Sequence, residues 1–379
     1  MGSPAVLDFE RLLAPISGDN AAGVNLRLDP TPDSPYQTIK MARTKARTAE
    51  RKAAEGEGSA TADWSPVLDL GPEVIASRAK DLELTAWLIE ALVREHGFPG
   101  LRDGYRLAKQ LVERYWDGLF PLPDEEGVAG RVAALAGLNG LDGNEGTLIG
   151  AIHQISLIPD GSGGGPFARW HYRQAADLES LTDPEKRQKR IDAGAVSREM
   201  IERAEAATAA DFCRGLREDI QESVAEFEGL MALLESKCGP DANGQPQAPP
   251  SSLIRGALRE CLDIVEALDR TKNPDGGAGG EVGANGDSGD SSVRGGGGPS
   301  RPGGPIRTRE EAFRHLLQVA RFFKETEPHS PISYALERAV RWGKMPLPDL
   351  LTELIAEDGT RSTVFKLVGI PPPAEPGSS

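Results

Sequence analysis

Apolar side chains recur at helical spacing through most of the chain. Leu84, Trp87, Leu88, Ala91 and Leu92 fall at i, i+3, i+4, i+7 and i+8, one stripe of a helix. Leu101, Tyr105, Ala108, Leu111, Val112, Tyr115 and Trp116 make a second stripe beyond Gly97. The short Gly-Phe-Pro-Gly turn between them predicts an antiparallel pair, stopped by Pro121 and Pro123. Val128, Val132, Leu135, Leu138 and Leu141 predict another helix, and Leu148, Ile152, Ile155 and Leu157 one more, interrupted at Gly161 to Pro166. Ahead of these, Phe9, Leu12, Leu13 and Ile16 form a short amphipathic stretch, followed by a polar, glycine-supported loop from Ser17 to Pro30. From Gln37 to Ala54 the pattern is helical. Its apolar side, Ile39, Ala42, Ala46, Ala49 and Ala53, is thin, so this helix is expected to bury little.

The middle of the chain opens with a charged stretch, Asp183 to Arg190, and a helix start at Ser197. Thr208 is the expected cap of a long helix carrying Phe212, Leu216, Ile220, Val224, Phe227, Met231 and Leu234, ended by Gly239 and Pro240. Ser251 or Ser252 starts a second helix with Leu253, Ile254, Ala257, Leu258, Cys261, Leu262, Val265 and Leu268, which completes a long helical hairpin. From Thr271 to Pro305, Gly, Ser, Asp, Asn and Pro replace nearly all apolar residues. Such a segment buries too little to offset its ordering entropy and is expected to be a flexible linker. Thr308 to Glu311 has the form of a capping box ahead of Ala312, Phe313, Leu316, Leu317, Ala320 and Phe323. Ser330 and Pro331 start a helix through Leu336, Ala339 and Val340, ended by Gly343, and Leu347, Leu350, Leu351, Leu354 and Ile355 form a third.

The expected fold class is therefore all-α, in five parts: an N-terminal helical domain (1–180), a middle helical hairpin (181–270), a disordered Gly-rich linker (271–306), a C-terminal helical module (307–370) and a disordered tail (371–379). A module as small as the fourth has a marginal core unless copies associate.

Composition narrows the function. A net charge of −15 argues against nucleic acid as a partner, because phosphate binding needs a positive surface. No run approaches the roughly 18–20 apolar residues of a membrane-spanning helix, and Met1 to Asp8 lacks the basic opening of a secretory signal. Cys213, Cys238 and Cys261 are widely spaced and form no CxxC pair, which fits a reducing compartment. A soluble cytoplasmic protein without direct membrane insertion is expected.

The motifs of common chemistries are incomplete. Gly18 to Gly23 has the glycine spacing of a phosphate loop, but Val24 and Asn25 stand where Lys and Ser or Thr are needed. His96, His153, His171, His315 and His329 show no metal-ligand spacing. Gly161-Ser162-Gly163 supplies only part of a nucleophile elbow, with no strand expected before it. No catalytic, cofactor or metal residue is assigned. The basic run Lys40, Arg43, Lys45, Arg47, Arg51 and Lys52 suits an acidic partner, although interspersed Glu50 and Glu55 fit a solvated face better. The residues alone point to a multivalent scaffold. Its rivals are a cytoplasmic, hydrolase-like enzyme with a site assembled from dispersed residues, and an unrelated helical regulatory scaffold.

Two regions together resemble a known family. Pro15 to Asn20, then Gly23, Leu26-Arg27 and Asp29-Pro30, are similar to the opening of the ImpA-type N-terminal domain. So are Lys80-Asp81-Leu82, Trp87-Leu88, His96-Gly97-Phe98, Gly100-Leu101 and Tyr115-Trp116 running to Pro121-Leu122-Pro123. Glu327 to Tyr334, Leu336 to Ala339 and Trp342 to Pro348 resemble the C-terminal module of one branch of TssA proteins of bacterial type VI secretion. The resemblance implies a non-enzymatic, ring-forming homo-oligomer that contacts baseplate, sheath and tube components at the inner face of the inner membrane. It nominates Gly18, Asp19, Asn20, Gly23, Leu26, Arg27, Asp29, Trp87 and Trp116 as signature or interaction residues. For self-assembly the candidates are Phe313, Leu317 and Phe323, from their apolar stripe, with His329, Ser330, Pro331 and Trp342 from the stretches that carry the resemblance.

Overall fold

Gly97 turns the longest helical stretch back on itself. In the computed structural model, helix α4 (Leu82–Tyr115) carries φ 58° and ψ −134° at this residue, a conformation glycine adopts without steric cost. Pro99 falls in the first turn of the outgoing limb, where its missing N–H costs nothing. The two limbs then lie side by side as the sequence predicts. Their closeness depends on Gly100 and Gly104, one helical turn apart: a Cβ on Gly104 would stand 2.6 Å from Ile89 Cγ1, and one on Gly100 would collide with the Leu92 carbonyl.

The described residues are 2–56, 61–123, 127–141, 143–241, 244–273, 309–326 and 331–354. The chain divides into two units, Met1–Val282 and Gly283–Ser379. In the first, α4 is wrapped by α1 (Phe9–Leu13), α2 (Pro35–Ala54), α3 (Ser65–Ser77), α5 (Ala129–Asn139) and α6 (Ile149–Gln154). The middle hairpin, α10 (Ala210–Cys238) and α11 (Ser252–Lys272), joins the same core. Phe227, Leu230, Leu234, Ile254, Leu258 and Val265 are buried in one cluster with Leu88, Leu92, Leu101 and Leu111. Tyr105 of α4 meets Phe227 of α10 at 5.0 Å between ring centroids. The hairpin is thus no free-standing element, since α10 packs against α4 and shares its core.

Several local expectations are corrected. Leu157 lies in a strand rather than a helix: β1 (Ser156–Ile158) pairs antiparallel with β2 (Phe167–Ala168), a small departure from an all-α fold. A strand therefore does precede Gly161. The charged stretch forms α8 (Pro184–Asp192), capped by Asp183, between α7 (Arg169–Glu179) and α9 (Arg198–Ala207). Thr208 does not cap α10; its hydroxyl donates back to the Ala204 carbonyl of α9 at 2.8 Å. α11 reaches Lys272, inside the span assigned to the linker, and 274–306 and 371–379 lie outside the described residues.

In the second unit, α12 (Arg309–Thr326) packs against α13 (Pro331–Lys344), followed by α14 (Leu347–Leu354). Ala320, Val340 and Ser333 are buried. Gly343 does not end α13 but lies within it, and its bare Cα seats the Phe313 ring.

Candidate interaction site

The signature loop is held by groups from α4 and the chain just before it. Asn20 Oδ1 accepts the Ala22 N–H at 2.9 Å, and the Gly23 N–H donates to the Asn20 carbonyl at 2.8 Å. Gly23 has φ 85° and lies so close to the Arg78 carbonyl that any Cβ would collide with it. The Val24 N–H also donates to Arg78, and the Lys80 N–H to Ala22. The Ala22 and Gly23 amides are thus taken by Asn20 and the Val24 amide by Arg78, so these three have no phosphate-cradle geometry.

Arg27 closes the arrangement. Its guanidinium forks onto Asp81 at 2.7 and 3.2 Å and reaches Glu83 Oε2 at 2.5 and 3.1 Å. Burial pulls the Arg27 pKa down, but the hydrogen bond and charge of Asp81, followed by those of Glu83, outweigh it and hold the group above its ordinary value. Asp81 is fully buried and also accepts the Glu83 and Leu84 N–H groups as the N-cap of α4. Tyr36 donates to Glu83 Oε2 at 2.9 Å, and burial, then Glu83, pushes its hydroxyl up to about 12. A planar bidentate cation on a buried carboxylate positions two chain segments more strictly than a lysine would.

The remaining signature residues divide. Trp87 is buried, 5.4 Å from the Tyr36 ring, with Arg43 over its face. Trp116 is half-buried; Arg131 stacks on it at 4.6 Å and donates to its carbonyl at 2.7 Å. Leu26 is buried. Gly18, Asp19 and Asp29 are exposed, and Asp29 accepts from the Thr31 hydroxyl and N–H, which lower its pKa. The sequence marks Lys80 only within the resemblance and not as a buried group, yet its fully buried ammonium donates to the Leu12, Ile75 and Ala76 carbonyls at 2.8, 2.9 and 3.4 Å. A lysine among polar neighbours gives no sign in sequence that it will be buried.

The basic helix is less solvated than its composition predicts. Arg43 pairs with Glu90, a carboxylate buried in α4, and Glu50 receives both Arg94 and the Trp64 indole. Buried Tyr36, Ile39 and Ala46 fix this helix on α4, so it is not a loosely lying element. Lys40, Lys45, Arg47, Arg51 and Lys52 stay exposed on the outer side.

In the second unit, Phe313 is occupied by Gly343, and the Trp342 indole donates to Glu353 at 3.0 Å. Leu317 is exposed and Phe323 half-buried. His329 and Ser330 lie outside the described residues; Pro331 begins α13. His153 Nε2 is 3.4 Å from Glu260, and His171 Nδ1 accepts the Ala168 N–H. Among the described residues no cluster of His, Cys, Asp and Glu has metal-site geometry, and no helix is long and apolar enough to cross a membrane.

The fold and its signature residues define a multi-helical protein in which Asn20, Leu26, Arg27, Trp87 and Trp116 are engaged in internal contacts, while Gly18, Asp19 and Asp29 are exposed. The model of the ImpA N-terminal, type VI secretion system family matches residues 13–140, the region containing the Arg27 contacts. Type VI secretion system component TssA1 of Pseudomonas aeruginosa is 25% identical over 354 residues, spanning 93% of this chain and 96% of its own. The solved N-terminal domain of the TssA component from Burkholderia cenocepacia shares the fold at TM-score 0.57 and 23% identity, over 70% of this chain and 94% of that one. Residues 13–140 thus match the ImpA N-terminal family, and over most of its length the chain is similar to a TssA component of the type VI secretion system.

Proposed function

We propose that the chain is a ring-forming adaptor. Its Gly283–Ser379 unit joins copies of itself, and its first unit engages baseplate and sheath or tube components during assembly, in the cytoplasm at the inner face of the inner membrane. The observation that supports self-assembly is the exposed apolar surface of α12 and α13. Phe322 is 61% exposed, Tyr334 59%, Val319 44% and Ile332 43%. Water-exposed side chains of this size in a small helical module are what an interface between copies would cover. Of the nominated residues, Phe313 and Trp342 hold the module together, while Leu317 belongs with the exposed set. A long Gly-rich connection would let each first unit reach repeated copies of a partner with avidity.

The test is light scattering on the full chain carrying Val319→Asp with Tyr334→Asp. Conversion of an oligomer to monomer with unchanged helical circular dichroism is expected. A monomeric wild type at micromolar concentration, or an oligomer that survives both substitutions, would count against the proposal.

A further inference from the structure

We propose that the pit between α7 and α8, with Trp170 on its rim, docks an acidic segment of a partner protein that inserts one apolar side chain. Of the five tryptophans, Trp64 and Trp87 are buried, and Trp116 and Trp342 are half-buried under Arg131 and Arg338. Trp170 alone is 44% exposed. Its presentation is rigid. The Ala168 N–H donates to His171 Nδ1 at 2.9 Å, which fixes the imidazole at the start of α7. The Trp170 indole lies on that imidazole at 3.9 Å and 32°, while Phe167 meets the same ring edge-on at 5.3 Å. An exposed aromatic already held in place loses little side-chain entropy on binding, the property of an interface anchor.

The pit beside it has a volume of about 340 Å³ and is lined by Trp170, Arg173, Gln174, Leu178 and Arg190, with Ala195 and Asp177. That is at the small end of ligand cavities, about 300–1,000 Å³. Leu178 is buried and gives the pit an apolar floor, and the Gln174 Oε1 is already taken by the Val196 N–H at 2.8 Å. Arg173 and Arg190 are exposed and make no ion pair among the described residues, so two guanidiniums face one carboxylate, Asp177. Lys189 on α8 is also exposed, whereas Lys186 pairs with Asp183 at 3.7 Å. In a chain of net charge −15 this is a local reversal of sign. Guanidiniums match carboxylates in geometry, and the apolar floor beside them sets the requirement for an anchor residue. This site is independent of the self-assembly surface.

A random dodecapeptide phage library selected on the full chain and counter-selected on Trp170→Ala tests the proposal. Enriched peptides are expected to carry several Asp or Glu around one Leu, Ile, Phe or Trp. A synthetic consensus peptide should shield Trp170 from iodide quenching and lose at least about tenfold in affinity on Trp170→Ala or on Arg173→Glu with Arg190→Glu. If Trp170→Ala does not fold, the paired arginine variant replaces it in the counter-selection. Basic or uncharged consensus peptides, no selective enrichment, or equal binding to the variants would overturn the proposal. So would a change in oligomer mass on Trp170→Ala, which would make the occupant a second copy.

Discussion

Asn139, the last residue of α5, accepts the backbone N–H of Ile254 at 3.0 Å across 115 positions of sequence. The same Oδ1 accepts the Leu253 N–H at 3.0 Å. Ser251, the residue before α11, makes no side-chain cap bond. The start of one helix is thus capped by the end of another, which locks the middle hairpin to the N-terminal helices. Asn139→Ala is expected to cost about 1–2 kcal/mol, a cap loss at a buried site. Asn139→Asp, which keeps an acceptor at a helix N-terminus, should cost less. A shift in urea midpoint at constant m-value reads both, and an unshifted Ala variant would mean that water replaces the cap.

The closeness of the α4 limbs makes a second prediction. Gly104→Ala places a methyl 2.6 Å from Ile89 Cγ1 and should destabilise by about 1–3 kcal/mol through overpacking. Gly137, inside α5, has nothing within 4 Å of an added Cβ, so Gly137→Ala should be neutral or stabilise by about 0.4–1 kcal/mol. Thermal unfolding of the two variants should separate them in sign. Equal behaviour would contradict the glycine contact.

Lys80 links stability to pH. Burial pulls its folded-state pKa down to about 8, below the ordinary value near 10.5. Below pH 8 both states carry the proton, and the cost of burying the charge is present in full. Between pH 8 and 10.5 the unfolded chain binds more protons than the folded one, so this group's contribution to stability rises with pH. Unfolding free energy of wild type relative to Lys80→Met should therefore increase from pH 7.5 to pH 10. A flat difference in urea titrations at the two pH values would show that the three carbonyls keep the ammonium charged throughout.

Within the second unit, Gly343→Leu should expel Phe313 from its seat on α13 and separate α12 from α13. Loss of helical circular dichroism confined to a minor part of the signal, with the first unit's cooperative transition unchanged, is the expected outcome. A fully wild-type melting profile and oligomer mass would count against the contact.

Periodicity determined the longest helices: the stripes at Leu84 to Leu92 and Leu101 to Tyr115 are real because a 3.6-residue repeat has to bury one side, whereas Leu157 went into a strand and the charged α8 showed no apolar repeat. Gly97 declared the reversal between them, since glycine takes its positive φ without strain. That Pro15–Pro30 and Lys80–Pro123 both resemble the ImpA-type N-terminal domain was legible in the sequence, but that the two segments pack on each other was not. That Arg27 meets Asp81 and Glu83, that Arg43 meets buried Glu90, and that Lys80 sits where no water reaches were decided by the tertiary structure. A charged residue looks the same in sequence on a solvated face and against a buried partner, because its environment is built by segments tens of residues away. For the same reason Thr208 passed for a local cap while Asn139 supplied a remote one. Local rules see only neighbours along the chain, whereas burial and hydrogen-bond geometry are set by neighbours in space.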